Sequence, residues 1–308
     1  MGIRTKGTVY LILCSLIWGA SFPLIEIADR TIPPITFTMS RMAIGAMLLY
    51  AYLRLRGDCM PRLGRAWIPF VIMGVFGTLL PVLFLAFGEE DVTSGFTAVV
   101  LSTVPVITVV IAHFFAEEGL TTAKLIGAAV GFAGACIVLS PDLARGVEVT
   151  IIGTLLILVV ALCRASSNVY AHTHLKNVTP IHTATGMMIS ATAITLPLAV
   201  IIDNPLAVRP STEGVISIIV SGIFCSAVAY LLLYWLIANR GPTFASLVEC
   251  IMPAVAVFYS ATFMGETIEV TTLAGMIVLV VCIVIMNGYV GKGAEVRWGR
   301  HVSAKPTQ

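Results

Sequence analysis

Charge is what this sequence has least of. Only 11% of its 308 residues are Asp, Glu, Lys or Arg, against 58% hydrophobic, and the mean hydropathy is +0.99. So little polar side chain cannot cover a soluble globule, which places the chain in a bilayer. No Walker A segment, GxGxxG, HExxH or nucleophile-elbow sequence occurs, so phosphate-cradling, dinucleotide, zinc-protease and hydrolase chemistry have no foothold. No cofactor or metal is expected, and any work must draw on a gradient. Of seven cysteines, Cys14, Cys136, Cys163, Cys225, Cys250 and Cys282 fall inside apolar runs and Cys59 sits in a basic loop, which is no disulfide framework. The net charge is only +2, and nothing suggests a nucleic-acid partner.

What is present is a series of apolar runs of roughly 20 residues, the length a helix needs to cross about 30 Å of hydrocarbon. Membrane-barrel strands would alternate and be about half as long. The expected fold is therefore all-α, with ten transmembrane helices near 8–27, 34–53, 66–88, 94–114, 122–140, 151–171, 180–202, 213–238, 243–263 and 270–290. Arg4 and Lys6 precede a first run that is long for a signal core and lacks a small-x-small exit, so it reads as a retained span. With the N-terminus cytoplasmic, thirteen of the 18 Lys and Arg residues fall inside and three, Arg30, Arg145 and Arg209, fall outside. The positive-inside rule thus puts both termini, and a tail over 291–308, in the cytoplasm. Acidic residues such as Glu89, Glu90 and Asp91 cluster outside, although they weigh little in that rule.

The chain is also written twice. Phe96, Pro105, Phe115, Glu118, Leu125 and Gly127 return 148 positions on as Phe244, Pro253, Phe263, Glu266, Leu273 and Gly275. Gly74, Phe76 and Leu83 answer to Gly222, Phe224 and Leu231 at the same offset, and Gly7, Ser21, Pro34 and Met42 answer to Gly153, Ser167, Pro180 and Met188 at an offset of 146. Two units, 7–140 and 151–290, follow. Five spans per unit is an odd number, so the second enters from the opposite face and the repeats are inverted. Such halves can exchange roles to give inward-open and outward-open states. Pro105 and Pro253, symmetry-related prolines inside spans, are candidate gating or structural kinks. Gly127, Gly131 and Gly134 make a small-residue stripe suited to close helix packing, with a dimer face as the alternative.

Ionisable groups inside spans are the candidate site, because charge in hydrocarbon is costly and usually faces a cavity or a partner. Arg164 lies ~20 Å below the outer end of span six, and Glu249 ~12 Å above the inner end of span nine, at 1.5 Å per residue. Their depths coincide. They are expected to meet or jointly line a cavity, Arg forking a carboxylate and Glu taking an ammonium or a proton. The alternative is a fixed ion pair without substrate contact. Arg41 on span two is expected to be structural or gating, pairing with Glu26. Trp18 and Tyr230, in the membrane interior, are candidates for a substrate wall or for helix packing. His172, His174 and His182 lack Cys or carboxylate companions and read as interface residues, not a metal site.

The sequence resembles the drug/metabolite transporter superfamily, specifically its EamA branch. The likeness rests on Trp18-Gly-Ala-Ser-Phe22 with Pro34 and Arg41, Phe115-Ala-Glu-Glu118 with Gly127, and in the second unit Pro242, Glu249, Pro253 and Phe263-Met-Gly-Glu266 with Gly275. Within that branch it is most similar to aromatic amino acid exporters of bacterial inner membranes. The resemblance implies a basket-like bundle around a central cavity, acting as a monomer. One departure is that Arg164 stands where the first unit has Trp18. The expected function is a secondary exporter of amino acids or related metabolites by alternating access, with a small-molecule substrate, the lipid bilayer and a coupling proton on Glu249 as partners. A multidrug exporter of cations depending on Glu249 alone is the alternative, and a non-transporting receptor or scaffold is the alternative of another class.

Overall fold

The computed structural model describes residues 2–88, 94–116, 119–140, 150–264 and 270–298. Among these every regular element is helical. Glu89, Glu90, Asp91, Glu117, Glu118, Arg145, Glu266, Arg300 and Lys305 lie outside the described residues.

Helix starts follow local chemistry. Thr150 and Ser211 accept hydrogen bonds from the backbone N–H groups of Gly153 and Gly214, at 3.0 and 3.1 Å, and so cap the helices Ile151–His174 and Thr212–Val220. Proline occupies the first turn of Pro34–Leu55, Pro180–Leu198 and Pro242–Ala245, where its missing N–H costs nothing. Asp203 accepts from the N–H and hydroxyl of Thr36, at 2.7 and 2.8 Å, placing a carboxylate at the positive end of Pro34–Leu55.

Numbered in chain order, the α-helices are α1 (Ile3–Gly19), α2 (Ser21–Asp29), α3 (Pro34–Leu55), α4 (Ile68–Gly74), α5 (Leu80–Gly88), α6 (Ser94–Leu101), α7 (Val104–Phe115), α8 (Thr122–Val138), α9 (Ile151–His174), α10 (Pro180–Leu198), α11 (Thr212–Val220), α12 (Ala229–Arg240), α13 (Pro242–Ala245), α14 (Leu247–Met264) and α15 (Val270–Trp298). Several of the expected spans are interrupted. Wide π-helical turns, Val75–Leu79 and Ser221–Val228, join α4 to α5 and α11 to α12. Pro105 does not bend a continuous helix; it sits in the first turn of α7, after a break at Ser102 and Thr103, whereas Pro253 lies inside α14. The final helix runs to Trp298, eight residues beyond the expected end of the last span.

Among the described residues seven stretches are long and apolar enough to cross a membrane by length and composition, and Thr122–Val138 and Val270–Met286 are shorter apolar helices. The outer surface carries bare apolar side chains such as Ile152, Leu162, Ile216 and Ile277, each at least half exposed. With hydrocarbon as the solvent such exposure costs nothing.

Inside, α8 lies along α15 and α3 along α10, while α1 packs on α12 and α14 and α9 on α5, α6 and α7. The α8–α15 seam is built from glycine. A methyl group on Gly131 would approach Cys282, one on Gly134 would approach Leu279, and one on Gly275 would come within 2.6 Å of the Val138 backbone nitrogen. The numbers rise along one helix as they fall along the other, so the pair is antiparallel. The expected small-residue stripe thus serves helix packing within this chain.

Candidate functional site

Packing of α1 against the Ser221–Arg240 segment brings together residues far apart in sequence. Trp18 stands at the end of α1, just before the break at Ala20, and donates its indole N–H to the Cys225 carbonyl at 2.8 Å, within the π-helical turn Ser221–Val228. Its ring meets Tyr230 edge-on at 5.3 Å between centroids, and Tyr230 in turn lies 6.0 Å from Tyr234. These rings form one wall of a cavity of about 610 Å³, a volume within the usual range for small-molecule sites.

Arg164, on α9, and Glu249, in the first turn of α14, meet on the wall of this cavity. Arg164 Nη1 donates to both carboxylate oxygens, at 3.0 and 2.8 Å. The carboxylate is almost fully covered, with 9% of the side chain exposed, and the guanidinium less so at 27%. Charges taken this far from water persist only when paired. The two residues expected to meet or jointly line a cavity are paired in the structure. Trp18, Tyr230, Arg164 and Glu249 therefore line one space, and Pro105 and Pro253 do not reach it.

Arg41 differs from expectation. Glu26 is taken by Arg30, four residues on along α2, at 3.3 Å between exposed side chains. A neighbour one helical turn away needs no tertiary fit, and the local pair wins. Arg41 turns instead toward the cavity, 5.8 Å from the Phe37 ring centroid.

Sequence reading missed Asn168, Ser167, Thr38 and Thr97, all cavity-lining. A signal existed for Asn168, which follows Arg164 by four residues and so shares its helix face. The histidines have local roles. His172 Nδ1 lies 3.1 Å from the Ile237 carbonyl, His174 stacks on Tyr170, and His182 lies 3.4 Å from Asp58.

Among the described residues the cavity opens at the α2 end. Phe22 and Glu26 line it and are exposed at the α2 end. At the other end Leu11, Leu236, Phe244 and Leu247 pack to 1% exposure or less. Below them Arg240, only 5% exposed, lies over the Phe244 ring at 3.9 Å and donates to the Arg4 carbonyl at 3.1 Å. Its stem runs against Gly7, where a side chain would collide with it.

An apolar exterior, a bundle of membrane-length helices and a charged cavity reached from one end define a multi-pass membrane transporter. The sequence pattern of the EamA-like transporter family matches residues 5–140 and 151–288, and the chain belongs to that family. Among its relatives, the uncharacterized transporter YoaV of Bacillus subtilis strain 168 is 23% identical over 284 residues, covering 92% of this chain and 97% of that one. The uncharacterized inner membrane transporter YedA of Escherichia coli strain K12 is 29% identical over 284 residues, covering 89% of each. An uncharacterized transporter of Archaeoglobus fulgidus is 26% identical over 271 residues, covering 88% of this chain and 94% of that one. A solved crystal structure superimposes with a TM-score of 0.80 at 18% identity, over 94% of this chain and 99% of the other, a likeness of fold.

Proposed function

We propose that this protein is a secondary exporter of amino acids or related small metabolites, working by alternating access as a monomer in an inner membrane. The observation that carries this reading is the Arg164–Glu249 pair on the wall of a cavity open at one end and sealed at the other. Beside it, the Trp18–Tyr230 wall suits an apolar or aromatic side chain. Glu249 can exchange its guanidinium partner for a coupling proton or a substrate ammonium.

In this reading ten membrane helices form two inverted units, 7–140 and 151–290, with both termini cytoplasmic and the cavity facing outward. Several observations support it. Of the three π-helical turns among the described residues, Val75–Leu79 and Ser221–Val228 fall at equivalent places about 148 positions apart, while Ala199–Asp203 has no counterpart in the first unit. The packing of α1 on α14 has its counterpart in α9 on α6 and α7, and that of α1 on α12 in α9 on α5. Cys250 Sγ donates to the carbonyl of Ser102, its own counterpart 148 residues earlier, at 3.4 Å, as residues meeting on a two-fold axis would. The antiparallel α8–α15 pair fits units of opposite orientation.

Counterflow tests the function. Liposomes holding the purified protein and unlabelled amino acid are expected to accumulate labelled amino acid from outside. A flat trace across all twenty amino acids sinks the proposal, and accumulation of organic cations alone would favour a multidrug exporter.

A further inference from the structure

Two cations line the cavity, and they are in different electrical situations. Arg164 is neutralised by Glu249, so that pair projects little net charge into the space beside it. Arg41 has no such partner. Among the described residues no carboxylate lies within ion-pair distance of it, and its buried Nε makes no hydrogen bond. The Phe37 ring, 5.8 Å away, stands near the limit of a cation–π contact. That does not offset an unpaired guanidinium at membrane depth.

The surroundings are built for a polar guest. Thr97 lines the same cavity with a buried hydroxyl that has no partner, and Thr38, also buried, stands three residues before Arg41 on the same face of α3. A group that brought negative charge and acceptor oxygens here would satisfy Arg41, and Thr97 offers a buried hydroxyl to the same cavity. A carboxylate matches the planar fork of a guanidinium.

The geometry points to Arg41, rather than the already paired Arg164, as the residue that receives the carboxylate of the substrate. This deepens the amino-acid reading and rests on it. An amine lacking the carboxylate leaves Arg41 uncompensated and is a poor ligand. An amino acid fills the gap and extends its side chain along the Trp18–Tyr230 wall.

Binding is read without transport, as thermal stabilisation of the purified protein in detergent by each of the twenty amino acids and by the corresponding decarboxylated amines. At least one amino acid is expected to raise the unfolding temperature while its amine does not. Arg41→Gln is expected to need ~10- to 100-fold more ligand for the same shift, the usual span for losing a charge-assisted hydrogen bond. Arg41→Lys, which keeps the charge without the fork, falls between. Wild-type affinity in Arg41→Gln, equal stabilisation by amines, or no stabilisation by any amino acid overturns the assignment. Should Arg41→Gln fail to fold, the Arg41→Lys affinity decides, and a value equal to wild type sinks it. Counterflow keeps the two claims apart. Carboxylate binding through Arg41 without counterflow leaves the site standing and removes transport, whereas full counterflow by Arg41→Gln does the reverse.

Discussion

Breaking the Arg164–Glu249 pair from either side has unequal consequences, and the inequality follows from burial. Removing one member of a buried ion pair costs about 3–5 kcal/mol because the other charge is left stranded. In Arg164→Gln the stranded group is a carboxylate with 9% of its side chain exposed, so the full range of about 3–5 kcal/mol applies. In Glu249→Gln it is a guanidinium that is 27% exposed to the cavity, and the cost falls toward about 2–3 kcal/mol. With both charges gone nothing is stranded, and Arg164→Gln/Glu249→Gln is expected within about 1 kcal/mol of wild type. At roughly 2 °C per kcal/mol for a chain of this size, the order in unfolding temperature is wild type, double variant, Glu249→Gln, then Arg164→Gln, over about 6–10 °C. Thermal unfolding in detergent, followed by tryptophan fluorescence, reads the series. Glu26→Gln is the control, since its pair with Arg30 is mostly exposed and contributes at most about 1 kcal/mol. A double variant as unstable as Arg164→Gln, or single variants within about 1 kcal/mol of wild type, would refute the reasoning.

Two further outcomes are expected. Gly275→Ala puts a methyl group 2.6 Å from the Val138 nitrogen and 2.9 Å from the Gly134 carbonyl, so it should destabilise by about 1–3 kcal/mol, while Gly119→Ala, with nothing within 4 Å, should not; equal unfolding temperatures would remove the close α8–α15 contact. Cys59 is the one exposed cysteine of the seven, so a membrane-impermeant maleimide should label inside-out vesicles and leave intact cells unlabelled if the α3–α4 loop is cytoplasmic; labelling of intact cells would reverse the orientation.

Arg164 and Glu249 were legible because cost made them conspicuous: each is a charge in an apolar run, and rise per residue alone gave both the same depth. Helix positions were legible for a similar reason, since hydrocarbon thickness dictates length. Arg41 was not. Its expected partner Glu26 had a nearer suitor in Arg30, and choosing between an i,i+4 neighbour and a cross-helix one needs side-chain coordinates. The helix interruptions were also hidden. Gly74 and Gly222 flag close packing, but a π-helical turn arises from how neighbouring helices press on the segment. Pro105 illustrates the limit, because proline is equally at home opening a helix and bending one.

The separation in sequence between partners has a consequence in time. Arg164 precedes Glu249 by 85 residues, and Trp18 precedes the carbonyl that holds it by 207. At a synthesis rate of roughly 5–20 residues per second, Arg164 leaves the ribosome ~4–17 s before its counter-charge exists, and Trp18 waits ~10–40 s for Cys225. Throughout that interval the nascent chain must keep a guanidinium solvated by lipid headgroups, water or the insertion machinery. The cavity's own wiring thus makes the half-made protein, and not only the finished one, a client for whatever guards polar groups during membrane insertion.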